Sequence, residues 1–167
     1  LAMYAPVYLT EKPRKDVTVH YFSVKKEGSA KARTLGIPED RIEEISPMAW
    51  FETVWAKNLA SDKEGMAMDP PVMRAPSGSS KDTFDYWSKG KTLYDASAIT
   101  VPSLVIVGEW DQVTPVPVAL RLFNDLTGAK HRRMEILPEA THIAIHEKNR
   151  MMLINEVQRF LQEEPYK

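Results

Sequence analysis

The hydrophobic positions change period at about residue 100. After it, an apolar run at residues 101–107 predicts a buried strand, and Val118, Leu122 and Phe123 predict a helix reaching Gly128. A second strand follows near residues 133–137, and Met152, Ile154, Val157, Phe160 and Leu161 mark a closing helix. Strands alternating with helices predict parallel pairing through right-handed crossovers.

The first hundred residues read differently. LAMYAPVY at residues 1–8 has the composition of a buried strand, and residues 17–24 alternate as a half-exposed extended segment does. Residues 25–40 are charged and predict irregular or weakly helical chain. Ser46 and Pro47 resemble a helix cap with proline at the first helical position, after which Met48, Phe51, Trp55 and Leu59 recur at spacings of three and four. That helix should end near residues 61–65. Pro70, Pro71, Pro76 and Gly78 predict a loop over residues 66–80, with Ser80 capping a short helix that holds Phe84, Tyr86 and Trp87 and stops at Gly90. The expected class is therefore α/β, with a strand–helix framework at residues 1–9 and 99–167 split around a mainly helical insertion at residues 10–98.

A chain of 167 residues can bury roughly 70% of the surface its unfolded form exposes. An apolar fraction of 43%, a charged fraction of 27% and a net charge of −1 suit a globular domain. They provide no basic footprint for nucleic acid or for an anionic membrane. Cysteine is absent, which excludes disulfides and thiolate metal sites and is compatible with an expected cytoplasmic location. No apolar run approaches the roughly 20 residues a bilayer span needs. The opening residues lack the order of a secretion signal. Leu1 falls inside the first predicted strand, so a cut or a removed upstream segment is expected.

Chemistry concentrates behind the two late strands. Gly108-Glu109-Trp110-Asp111 follows the first, and Ala140-Thr141-His142 follows the second, 31 residues after Asp111. That interval is one helix, one strand and two short loops. Adjacent parallel strands would open both loops onto one crevice, because reactive groups gather at strand carboxyl ends. A carboxylate beside an imidazole fixes its tautomer and stabilises the imidazolium formed when it accepts a proton. The third member of such a relay is not evident, since G-x-S-x-G occurs nowhere. Ser77, Ser79 and Ser80 read as turn and cap residues. His146 stands four positions after His142, but no further ligands cluster there and no metal site is expected. His20 and His131 read as surface residues. Trp50, Phe51, Trp55, Phe84, Tyr86 and Trp87 of the insertion are candidates to line an apolar substrate pocket; most should be packing, with one or two facing the site. Trp50, Trp87 and Trp110 are the candidates for substrate contact, together with Arg74, which either orients a substrate carboxylate or is solvated.

VPSLVIVGEWDQVTP at residues 101–115, ATH at residues 140–142 with Glu147 behind it, and EVQRFLQE at residues 156–163 resemble the C-terminal part of an α/β-hydrolase. LAMYAP resembles the strand after the nucleophile helix in that superfamily, and residues 10–98 occupy the place of the cap between its sixth and seventh strands. The resemblance implies Asp111 as triad acid and His142 as base. It also implies that the nucleophile, the oxyanion-hole loop and five strands lie outside this sequence. The expectation is the C-terminal portion of a serine hydrolase (carboxylesterase or aminopeptidase-like) that cleaves a small ester or amide through an acyl-enzyme, needs no cofactor and is inactive alone. Two alternatives are a dehalogenase-like member with an aspartate nucleophile and a non-catalytic interaction module on a hydrolase framework. The edge of the strand at residues 1–8 should pair with the N-terminal half of the same fold or with a second copy.

Overall fold

The computed structural model describes residues 1–163. In chain order the elements are β1 (Ala2–Tyr4), β2 (Tyr21–Val24), α1 (Lys26–Arg33), α2 (Ile42–Ile45), α3 (Met48–Ser61) and α4 (Lys63–Met66). There follow β3 (Met73–Pro76), α5 (Gly78–Asp85), β4 (Ser103–Gly108), α6 (Val116–Asp125), β5 (Arg132–Leu137) and α7 (Arg150–Gln162).

β1, β4 and β5 form a parallel sheet in that order, with Ala2 opposite Leu104, Tyr4 opposite Ile106, and Gly108 opposite Leu137. All six residues of β4 are buried, as a strand covered on both faces requires. Alternation sends Val105 and Val107 to one layer, with Ala119 and Leu122 of α6, and Leu104 and Ile106 to the other, with Leu153 and Phe160 of α7. Burial of each such side chain stabilises the fold by about 1.5–3 kcal/mol. The sheet with helices on both faces is an α/β architecture.

Several boundaries depart from the sequence expectation. β1 is three residues long, because Ala5 adopts φ 47°, a left-handed conformation that ends the strand. The chain then leaves the sheet, and Tyr8 packs against Trp87 in the α6 layer with its hydroxyl donating to Asp125 at 2.9 Å. Residues 73–76, expected in a loop, form β3 and pair antiparallel with β2; Pro76 is tolerated at the strand end, opposite Tyr21. α1 is a well-formed helix within the charged stretch. Ser46 does not cap α3: it ends α2, its amide donating to the carbonyl of Ile42 at the start of that helix, and Pro47 holds the cap position of α3. α5 begins at Gly78, three residues before the start that a Ser80 cap implies, and Ser77 gives its hydroxyl to the Val19 carbonyl instead of capping the helix.

The segment between β1 and β4 is tied to the residues around β5 and α7. The Lys148 amide donates to the Ile45 carbonyl at 2.8 Å, and Arg41 pairs with Glu139 at 2.7 Å. Among the described residues no helix is long and apolar enough to cross a membrane.

Candidate active site

The loops that leave β4 and β5 run side by side. Glu109 donates its amide to Leu137 and Trp110 donates to Ala140, both at 2.9 Å. This contact depends on Gly108. A β-carbon there would lie 2.2 Å from the Ala140 carbonyl oxygen and 2.8 Å from that of Thr141. Glycine is the residue that lets the two backbones approach so closely.

Asp111 enters at the end of this turn, with its side chain wholly removed from solvent. Oδ1 accepts the amides of Val113 and Thr114, each at 2.8 Å, an arrangement that folds the loop back on the carboxylate. Oδ2 accepts the Thr114 hydroxyl at 2.9 Å and lies 2.9 Å from Nδ1 of His142. Burial pushes the carboxyl pKa up, but the bonds from His142 and Thr114 outweigh it and hold the group below its ordinary value. The carboxylate is therefore ionised at neutral pH, and the imidazole that faces it carries its proton on Nδ1. That leaves Nε2 to accept a proton.

His142 is held from behind. Glu147 is fully buried and accepts both the hydroxyl and, at 3.3 Å, the amide of Thr141. Its carboxyl pKa is raised by burial, against the opposing effect of the Thr141 bonds. Tyr4, the last residue of β1, donates its hydroxyl to the Thr141 carbonyl at 2.5 Å and accepts the Ala144 amide at 3.0 Å. Burial pushes this phenol up to about 12. The histidine loop is thus pinned by β1 on one side and by its own returning segment on the other.

His142 is one-third exposed and lines two cavities. One, of about 240 Å³, is bounded by Tyr8, Arg14, Ser79, Thr83 and Thr114. The other, of about 250 Å³, is largely apolar, with Phe51, Val54, Trp55 and Ile143 on its walls and Arg33 and His146 among its polar groups. Both volumes lie near the lower limit for small-ligand sites.

Asp111 and His142 are brought together, and of the aromatic candidates Phe51 and Trp55 line the apolar cavity that His142 lines; Trp50, Trp87, Trp110 and Arg74 are placed elsewhere. Trp87 is buried in the α6 layer, its ring 5.3 Å from Tyr8 and 5.6 Å from Tyr94, and lines neither cavity. Trp50 lies under the Arg150 guanidinium at 4.7 Å, beside a separate hollow that includes Ile145 and His146. Trp110 is half-buried beneath Arg41 at 5.6 Å and lines neither His142 cavity. Arg74 is not a free anion clamp: Asp62 pairs with it at 2.8 Å and Glu64 joins them at the surface. Thr114, Tyr4 and Arg33 were not signalled as site residues. The only cue to Thr114 was its place three residues after Asp111, just before the proline that opens α6. Among the described residues no group of three or more potential metal ligands occurs.

A parallel sheet with an acid and a histidine on successive loops past its strand ends is the arrangement of an α/β-hydrolase, and the chain falls in that superfamily. It belongs to the prolyl oligopeptidase family, whose model matches residues 50–165. Three solved structures are similar. A serine hydrolase involved in carbazole degradation is 19% identical with a TM-score of 0.45, the match covering 88% of this chain and 50% of that one. A thermophilic esterase is 25% identical with a TM-score of 0.37, covering 50% and 33%. A malate-bound thermophilic esterase from Thermogutta terrifontis is 14% identical with a TM-score of 0.41, covering 97% and 56%. The chain thus spans between a third and just over half of these structures. No curated protein sequence matches significantly.

Proposed function

We propose that Asp111 and His142 are the acid and base of a nucleophilic hydrolase relay that cleaves esters or amides, with a serine supplied from outside these 167 residues. The observation that carries this reading is the 2.9 Å contact between Asp111 Oδ2 and His142 Nδ1, made by a carboxylate already locked by two amides. In the proposed reaction the serine oxygen adds to the scissile carbonyl carbon while its proton passes to His142 Nε2. The imidazolium then protonates the departing alcohol or amine as its bond to carbon breaks, and Asp111 stabilises the charged ring meanwhile. Water repeats the sequence on the acyl-enzyme, releasing the acid and restoring the serine. Family membership supports amides as well as esters.

The test is turnover of nitrophenyl esters by these residues alone and by a protein that joins them to a nucleophile-bearing segment. The joined protein should turn over, and Asp111→Asn should lower its kcat by about 10³- to 10⁴-fold with little change in KM. A His142→Ala variant as active as its parent, or robust turnover by residues 1–167 alone, would sink the proposal.

A further inference from the structure

Arg33 closes α1 and is 8% exposed, yet among the described residues it has no carboxylate within ion-pair distance. Its polar contacts are one bond from Nη2 to the Pro47 carbonyl at 3.2 Å and the face of Phe51 at 5.4 Å, with Glu147 and Glu43 acting on the charge only from beyond ion-pair distance. Nε is buried with no hydrogen-bond acceptor. Withdrawing a guanidinium from water is costly unless an anion and further acceptors compensate it. The cation is not embedded in solid packing, however. It lines the 250 Å³ cavity that His142 also lines, between Phe51, Val54 and Trp55 of α3 and Ile143 of the histidine loop.

We propose that Arg33 anchors a carboxylate carried by the substrate, seating the rest of that substrate against α3 with its scissile bond toward His142. This rests on the hydrolase reading for the identity of the reacting bond, while the anion site rests on Arg33 itself. The planar fork of a guanidinium matches the two oxygens of a carboxylate, and the apolar walls fit the short carbon chain between the charge and the ester or amide. Arg74, which the sequence left open between this task and a solvated surface role, is already paired with Asp62, whereas Arg33 has a donor without an acceptor and lines the cavity that His142 lines.

The experiment is an NMR titration of the chain at constant pH, following the His142 ring and the Trp55 indole. The probes are succinate, its neutral dimethyl ester and inorganic phosphate. Succinate should give saturable shifts at an affinity at least tenfold above the diester. Arg33→Met should abolish that preference and Arg33→Lys should keep part of it. If Arg33→Met does not fold, the probe comparison on the wild-type chain and on Arg33→Lys decides. Equal binding of succinate and the diester, unchanged succinate binding in a folded Arg33→Met, or phosphate binding as tight as succinate would each overturn the proposal. Failure of the hydrolase reading appears separately, as ester turnover insensitive to His142→Ala, and leaves the titration result standing.

Discussion

The Tyr4 hydroxyl, at the end of β1, lies 2.5 Å from the carbonyl oxygen of Thr141, the residue just before the histidine. The Tyr4 hydroxyl oxygen in turn accepts the Ala144 amide, so one side chain from the first strand satisfies both limbs of the histidine loop. Tyr4→Phe should therefore leave a carbonyl and an amide short of partners, at a cost of about 1–3 kcal/mol. Urea denaturation measures that loss, and hydrogen exchange should quicken at Ala144. An unchanged midpoint would mean that the loop is held elsewhere.

Glu147 gives the fold a pH signature. Its folded-state pKa lies above the ordinary glutamate value of about 4.3 because of burial, so the native state binds the proton more tightly than the unfolded chain. That contribution is complete below about pH 4.3 and is lost as pH rises through the folded value. Asp111 acts oppositely, since its lowered pKa adds stability above its ordinary value of about 3.9 that vanishes as pH falls below it. Glu147→Gln should remove the decline above pH 4.3 and leave the acid limb intact. Denaturation midpoints from pH 3 to 7 check this, and parallel curves for both proteins would refute it.

Gly108→Ala should be among the most damaging single-methyl changes in the chain. The added carbon meets the main-chain oxygens of Ala140 and Thr141, not a flexible side chain, so relief requires the acid and histidine loops to separate. A loss of about 3 kcal/mol or more is expected by thermal or chemical denaturation. In a folded variant the His142 ring resonance should move with it. A variant of wild-type stability with that resonance unmoved would contradict the close approach.

β1 forms one border of the parallel sheet, and Leu1 beside it is 48% exposed. We propose that this border recruits another strand, either from the remainder of the same fold or from a second copy. Size-exclusion chromatography with light scattering on residues 1–167 should show concentration-dependent association at micromolar protein. A clean monomer across that range would count against it.

What could be read beforehand follows from how each residue is used. Residues 103–108 are covered on both faces, so the apolar run Leu104 to Val107 advertised a central strand, and the α6 and α7 stripes followed their helical period. The spacing of Asp111 and His142 was legible because parallel neighbours and short loops leave few other placements. Residues 73–76 were not, since their strand is a two-stranded ribbon that includes a proline and has no buried alternation to display. The early end of β1 depends on the backbone conformation of Ala5, which an alanine does not announce. Trp87 and Trp50 look alike in sequence; only tertiary packing puts one against Tyr8 and the other under Arg150. Arg33 was hidden for the same reason, as one cation among many in a charged stretch.

Thr114 has a single hydroxyl hydrogen and two oxygens to offer it to: Asp111 Oδ2 at 2.9 Å and the Ala5 carbonyl at 3.2 Å. Should the imidazole swing outward during a catalytic cycle, the aspartate would keep the amides of Val113 and Thr114 and this hydroxyl, so no bare charge is stranded. The ring can depart and return without the acid relaxing in its absence. In the proposed relay, then, the acid need not be rebuilt between events.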